Sequence, residues 1–240
     1  EQTRLRVATD APVVGVQLFR AQGFSETTPD NAMAGTPVGP AVQIGWKTHR
    51  DAPGTVRIGI PDLPSDVYYA QLTAAGGRVG YAPFIVRPAL LGQHRVAVVL
   101  PTSTWQAYNF QVVNGDGWGD TWYAGGPPQP VRLDRPFIRR GVPPFYRRYD
   151  APFLAWLDKH GIGVDVLSDD VLEGASAAQL AAAYDLIVFP GHHEYVTDSE
   201  MAGIKGYRDA GGNLMFLSAN NFFWRVERKD GVLRRTRQWR

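Results

Sequence analysis

The chain has 240 residues, of which 44% are apolar, and its formal net charge is +2. Enough apolar side chains are present to bury a core, which argues against a disordered chain. The sequence contains no cysteine, and this excludes a thiol nucleophile, a disulfide framework and a cysteine-ligated metal.

Residues 1–91 have the pattern of a β domain. The segments "RLRVATD", "VVGVQLFRA", "AVQIGWKTH" and "TVRIGIP" are short, apolar or alternating, and are separated by Pro, Gly and Asp. Further on, "AAGG" at 74–77 predicts the turn of a hairpin that joins Val67–Thr73 to Tyr81–Val86. Strands at this spacing, with no helical periodicity between them, predict an Ig-like β-sandwich.

Residues 92–240 change to an alternation of strands and helices. Helical patterns occur in "DAPFLAWLDKHG", "SAAQLAAAY" and "TDSEMAGIKGYRDAGG", the last of which opens with a capping box from Thr197 to Glu200. Apolar segments predict strands near residues 95–100, 164–168, 185–190 and 213–218. Strands buried on both faces and joined by helices predict a parallel sheet, and therefore an α/β domain over residues 92–240.

Basic residues are concentrated at the end of the sequence. Seven of the last sixteen residues are basic: Arg225, Arg228, Lys229, Arg234, Arg235, Arg237 and Arg240. Such a segment can bind nucleic acid, but a solvated face or a hairpin paired with acidic residues is the commoner arrangement, and no helix-turn-helix or aromatic-interleaved pattern is present. We therefore expect no nucleic-acid partner. We also expect no membrane span, since no apolar stretch approaches about 20 residues.

A polar cluster follows each of the four predicted strands of the α/β domain. These clusters are "PTSTWQAYN", "SDD", "GHHEY" and "SANNFFW". Ligands of open α/β sheets bind beyond the carboxyl ends of the strands. We therefore expect the four clusters to converge on one rim of the sheet and to form the candidate site there.

The "GHHEY" segment has two interpretations. His192 and Glu194 lie two residues apart, so in an extended chain they point the same way, while His193 points away and packs structurally. An imidazole and a carboxylate are a common metal-ligand or acid–base pair, and Glu194 rather than His193 would then be needed to retain the metal. Alternatively, the segment is an ordinary helix-entry loop in which Glu194 caps the following helix.

Two other side chains of these clusters also have two interpretations each. Tyr108, in "QAYN", is either a core aromatic residue or a phenolate that could bind ferric iron. Asn220, in "SANN", either donates to a developing oxyanion or satisfies the backbone of a turn.

The segment "NGDGWGD" resembles a calcium loop in composition. Its candidate ligands are Asn114, Asp116 and Asp120, but it lacks the full carboxylate pattern and the terminal Glu of an EF-hand. A glycine-rich turn that projects Trp118 and Trp122 is the favoured interpretation. The sequence also has no G-x-S-x-G elbow, no P-loop and no dinucleotide-binding fingerprint.

Several motifs together resemble a known family. The segments "LPTSTWQAYNF", "RPF", "FLAWLDKHGIGVDVLSDD", "YDLIVFPGHHEYV" and "GGNLMFLSANNFFWRV" resemble the catalytic-domain region of the N,N-dimethylformamidase large (beta) subunit family, over about residues 95–226. The segment "GDGWGDTWYA" resembles a bacterial branch of it. The resemblance implies a glutamine-amidotransferase-like (flavodoxin-like) domain after an N-terminal β-sandwich. It also implies a secreted protein whose signal peptide has been removed, and the start of a further β segment at residues 225–240.

The resemblance also implies a mononuclear iron held by two tyrosines and a glutamate. Tyr108 and Glu194 match two of these ligands, and Tyr149 is our choice for the third, with Tyr146 as the alternative. His192 and Asn220 match the catalytic histidine and asparagine. The implied reaction is hydrolysis of the C–N bond of a small amide substrate.

A hypothesis of another class is a catalytically inactive exported binding protein. It would contact a surface or glycan through the β-sandwich and exposed tryptophans, namely Trp105, Trp118 and Trp122. Either function is compatible with a homo-oligomer.

Overall fold

The computed structural model describes residues 2–21, 28–47, 54–112, 120–123 and 130–239. Asn114, Asp116 and Trp118 lie outside the described residues, and the calcium site stays a prediction. Asp120 is described and is buried.

The N-terminal region is built from two antiparallel sheets. One has four strands in the order β3-β2-β5-β6, and the other pairs β1 with β4. An apolar cluster that includes Val7, Val16 and Val56 lies between them. The strands are β1 (Gln2–Val7), β2 (Val13–Ala21), β3 (Gly35–Gly45), β4 (Gly54–Gly59), β5 (Asp66–Ala74) and β6 (Arg78–Val86).

The predicted hairpin is confirmed. Strands β5 and β6 pair from Asp66–Val86 to Ala74–Arg78. The turn uses Gly76 and Gly77 at φ values of 75° and 71°, a conformation in which a side chain would be strained. The N-terminal region is therefore a two-layer β structure, while the Ig-like type stays a prediction.

The α/β region contains the predicted four-stranded parallel sheet, in the order β12-β10-β7-β9. Its strands are β7 (Val96–Leu100), β9 (Asp165–Ser168), β10 (Leu186–Phe189) and β12 (Asn213–Phe216). The chain runs from β7 to β9 on one side and then returns to β10 on the other side. The point at which the strand order reverses therefore lies between the carboxyl ends of β7 and β10, where open sheets bind their ligands.

Helices connect these strands. They are α1 (Thr102–Ala107), α2 (Ala151–Lys159), α3 (Asp169–Gly174), α4 (Ala177–Ala183) and α5 (Asp198–Asp209), and a π-helical turn at Tyr146–Asp150 leads into α2. The predicted capping box opens α5, because Thr197 and Glu200 each accept a hydrogen bond from the other's backbone N–H. None of the described helices is long and apolar enough to cross a membrane.

A fourth sheet has the order β11-β13-β14-β8. Its strands are β8 (Val131–Arg132), β11 (Tyr195–Val196), β13 (Trp224–Lys229) and β14 (Val232–Gln238). The expected β segment near the end of the sequence is therefore confirmed. Two of its basic residues pair with acidic ones, Arg225 with Asp198 and Arg228 with Glu173. Arg235 stacks on Trp224, with 4.5 Å from its guanidinium carbon to the ring centroid.

The two regions share an apolar cluster, in which Val67 and Tyr69 join Val98 and Val166. The segment that connects them is fixed by Asp165, at the start of β9. This carboxylate is fully buried. It accepts hydrogen bonds from the backbone N–H groups of Gly92, Gln93 and His94, and from Tyr184 Oη. His94 Nδ1 lies 3.0 Å from it.

Candidate functional site

The candidate site lies where the strand order reverses. Helix α1 follows β7 and ends next to Tyr108, while His192 and Glu194 follow β10. Tyr108 Oη donates to Glu194 Oε2 at 2.6 Å, and His192 Nε2 lies 3.0 Å from the same oxygen. Tyr108 Oη and His192 Nε2 are 3.4 Å apart. The expectation that His192 and Glu194 point toward Tyr108 is confirmed, while their chemical roles stay predictions.

Tyr123 is the residue that sequence reasoning missed. Its hydroxyl lies 3.3 Å from each carboxylate oxygen of Glu194, and its ring stacks on Tyr108 at a centroid distance of 4.3 Å. It also contacts the hydroxyl of Tyr195. The one available signal was its position in "GDTWYA", part of a segment that carried the family resemblance.

The structure does not bring Tyr149 to Glu194. The ring of Tyr149 is 5.9 Å from that of Phe145, and Phe145 in turn packs edge-on against Tyr108 and His192. The alternative, Tyr146, is buried in the core. Among the described tyrosines it is Tyr123, and not Tyr149 or Tyr146, that joins Tyr108 in hydrogen bonding to Glu194.

The electrostatics of the site follow from these contacts. Burial alone would raise the pKa of Glu194, but the bonds from His192 and Tyr108 hold this pKa below its usual value. The bond to Glu194 raises the pKa of His192 despite its partial burial. Burial and the adjacent carboxylate raise the pKa of Tyr108. The geometry therefore favours a carboxylate that faces an imidazolium and neutral phenols.

Backbone hydrogen bonds keep "GHHEY" extended. The N–H groups of Glu194 and Tyr195 donate to Thr104 Oγ1 at 3.1 and 3.3 Å. The carbonyl of Glu194 accepts from Phe223 and Trp224. Since Thr197 and Glu200 form the capping box of α5, the alternative in which Glu194 caps this helix is wrong.

His193 points away from the site, as predicted. Its side chain is fully buried against the rings of Phe189 and Phe222. Its Nε2 lies 2.7 Å from Asp169 Oδ1. Burial would raise the pKa of Asp169, but His193, Arg228 and the backbone N–H of Ser103 hold it below its usual value.

Asn220 lies in the turn next to His192. It is exposed and has a φ of 57°, a conformation that Asn tolerates better than most residues. The preceding carbonyl, of Ala219, lies 2.9 Å from His192 Nδ1. Since a carbonyl only accepts, Nδ1 carries the hydrogen and Nε2 faces Glu194. The oxyanion role of Asn220 stays a prediction.

The binding-protein hypothesis predicted that Trp105 is exposed, and this prediction is wrong. Trp105 is only 5% exposed, and its Nε1 donates to Asp150 at 3.1 Å. It is a core residue and cannot bind a surface or glycan. Trp122 is half-buried, with its ring packed on Tyr195.

Within the described residues, no group of three or more His, Asp or Glu side chains could hold a metal ion. The candidate site contains one histidine and one glutamate. A metal bound there would therefore require the tyrosine oxygens as ligands.

Comparison with known proteins identifies the family. The family described as "N,N-dimethylformamidase beta subunit-like, C-terminal" matches residues 15–240. The N,N-dimethylformamidase beta subunit of Alcaligenes sp is 29% identical over 100 residues, which cover 41% of this chain and 13% of that protein. The chain belongs to the N,N-dimethylformamidase beta subunit-like family.

Proposed function

We propose that the chain carries the active site of a metal-dependent hydrolase that cleaves the C–N bond of a small amide. The family membership supports the reaction class. The observation that carries the proposal is the convergence of Tyr108, Tyr123 and His192 on the single carboxylate of Glu194.

The donor atoms fit a small, hard cation. Glu194 Oε2 lies 2.6 Å from Tyr108 Oη and 3.3 Å from Tyr123 Oη, so the three side chains could direct their oxygen atoms at one small cation. Phenol oxygens and a carboxylate are suited to iron. In this proposal Tyr108, Tyr123 and Glu194 hold the iron, and Tyr123 replaces Tyr149 as the second tyrosine. Bound iron would polarise the amide carbonyl and lower the pKa of a bound water.

His192 is the proton donor to the leaving amine in this proposal. The bond from Nδ1 to the carbonyl of Ala219 directs Nε2 into the site. A positioned imidazolium next to the scissile bond is a suitable general acid. Asn220, at the rim beside Ala219, remains our candidate for the oxyanion donor.

Metal content and amine release test the proposal. We expect purified protein to contain one iron per chain, with visible tyrosinate-to-iron absorption, and to release amine from formamide, N-methylformamide or N,N-dimethylformamide. Glu194→Gln should lose both the iron and the activity. The matched control is Glu227→Gln, at an exposed carboxylate on β13, which should keep both. Equal iron content in the two variants, or no amine from any amide in iron-loaded protein, contradicts the proposal.

A further inference from the structure

The buried carboxylate of Asp169 lies behind the candidate site and contacts both of the segments that form it. Asp169 starts α3 directly after β9 and is 0% exposed. Its Oδ2 accepts from the backbone N–H of Ser103 at 2.5 Å and from Thr102 Oγ1 at 3.1 Å. Its Oδ1 lies 2.7 Å from Nε2 of His193. The same side chain therefore contacts the segment after β7 and the segment after β10.

These two segments present the side chains of the site. Thr102 and Ser103 begin α1, whose other end is followed by Tyr108. His193 lies between His192 and Glu194 in an extended chain, so fixing His193 on one side also fixes the direction of its neighbours on the other. A displacement of either segment would change the distance between Tyr108 and Glu194.

We propose that Asp169 is a positioning residue that sets the separation of Tyr108 from His192 and Glu194. It touches neither the substrate nor the metal of the proposed function, on which this inference rests. Partners of this kind behind metal ligands change metal affinity when they are replaced.

Substitution by asparagine is the sharpest change. A carboxylate can accept on both oxygens, whereas an amide has one acceptor oxygen and one NH₂ donor. In Asp169→Asn the NH₂ group must therefore face either Ser103 and Thr102, where it cannot accept, or His193, where it can donate only to an unprotonated Nε2. In either orientation the negative charge that faces the imidazole is lost, although the size of the side chain is retained.

The same strand supplies a matched control. Asp165, at the opposite end of β9, is also 0% exposed and also binds backbone N–H groups and a histidine. The four-residue strand places it about 13 Å from Asp169. Asp165→Asn makes the same chemical change and costs stability in the same way. Its contacts fix the connection at residues 92–94 and none of the segments that present the site.

The experiment compares the full chain with both variants. Ferrous iron is titrated anaerobically into metal-free protein, and the melting temperature is measured in parallel. We expect both variants to melt at lower temperature, with iron binding weakened by about tenfold or more in Asp169→Asn and by less than about twofold in Asp165→Asn. Equal affinity losses in the two variants, or wild-type affinity in Asp169→Asn, would overturn the inference.

Amide hydrogen exchange separates this inference from the proposed function. If the wild type binds no iron, the proposed function fails, but exchange at residues 193–195 of the metal-free protein still reports on the loop. We expect faster exchange there in Asp169→Asn and not in Asp165→Asn, and equal rates in both would overturn the inference. If Asp169→Asn does not fold, Thr102→Val removes one donor and should give the same effects at smaller size; wild-type values for it would then overturn the inference.

Discussion

The two faces of the "GHHEY" loop contain similar side chains that do different things. On the front, His192 and Glu194 meet two tyrosine hydroxyls in a partly exposed site. On the back, His193 is fully buried with Asp169. Adjacent histidines are thus separated by the two-residue period of an extended chain. The residue type does not distinguish the two histidines, but their positions do, since His192 faces Tyr108 and Glu194 while His193 packs in the core.

A substitution on the back face should mainly lower stability, whereas one on the front face should mainly abolish iron retention. We expect His193→Ala to lower the free energy of unfolding by about 3–5 kcal/mol, because it removes a buried ring and leaves Oδ1 of Asp169 buried without its contact to the imidazole. Glu194→Gln should cost less than that, since it keeps the volume of the side chain, but it should abolish iron retention. Urea unfolding and metal analysis of the two variants check both statements.

The expected loss of stability adds to what the sequence suggested for His193. That this residue is not needed to retain a metal stays a prediction, and its buried contact with Asp169 indicates a structural role. A His193→Ala variant that is as stable as the wild type would show that the back of the loop contributes nothing.

The start of the loop depends on a glycine. A Cβ at Gly191 would lie 2.0 Å from Oδ1 of Asp150, a buried carboxyl whose pKa burial raises to about 8. We expect Gly191→Ala to destabilise the protein by about 1–3 kcal/mol through overpacking. Chemical denaturation measures this loss, and Gly174→Ala, where no atom lies within 4 Å, is the control.

A double-mutant cycle identifies the cause. If the clash with Asp150 is responsible, Gly191→Ala should cost less in an Asp150→Ala background than in the wild type. Additive losses would mean that the added methyl disturbs another contact.

Much of the sheet could be predicted from the sequence, because its signals are local. The four apolar segments became the four parallel strands, and the Thr197–Glu200 capping box begins α5 as expected. The capping box also implied that "GHHEY" is extended, from which the direction of His192 and Glu194 followed. Each of these inferences depends on residues close together in the chain.

The contact of Tyr123 with Glu194 could not be predicted in this way. Tyr123 reaches Glu194 across 71 positions of sequence, and its approach depends on the path of a loop that no periodicity describes. The pairing of Asp169 with His193 is similar, since "SDD" before a helix has the pattern of an ordinary helix start. Long-range polar contacts have no local signature, and the site was therefore predicted in part.

Removing one hydroxyl at a time distinguishes Tyr123 from Tyr149 as the second tyrosine ligand of the proposed iron. Tyr123→Phe keeps the ring that stacks on Tyr108 and removes only the oxygen near Glu194. We expect iron affinity to fall by about tenfold or more in Tyr123→Phe and to be unchanged in Tyr149→Phe. Iron titration of the two variants is the measurement. The reverse result would restore Tyr149 as the ligand.

The smallest expected effect concerns Glu200, on helix α5 behind the "GHHEY" loop. Glu200 is 1% exposed, and its Oε1 makes no hydrogen bond to a described residue. Burial, with the charge of Asp169, raises its pKa well above 4.5, although the N–H of Thr197 opposes the shift. A carboxyl group whose pKa is higher in the folded protein than in the unfolded chain stabilises the fold at pH values below its pKa in the unfolded chain. This contribution is lost as the pH rises through its pKa in the folded protein.

Glu200→Gln removes that loss and retains an acceptor for Thr197. The melting temperature of the variant should therefore rise relative to wild type as the pH increases from 4.5. Glu227→Gln, at an exposed site on β13, should give a constant difference, and parallel curves for Glu200→Gln would show that Glu200 is already ionised in the folded protein.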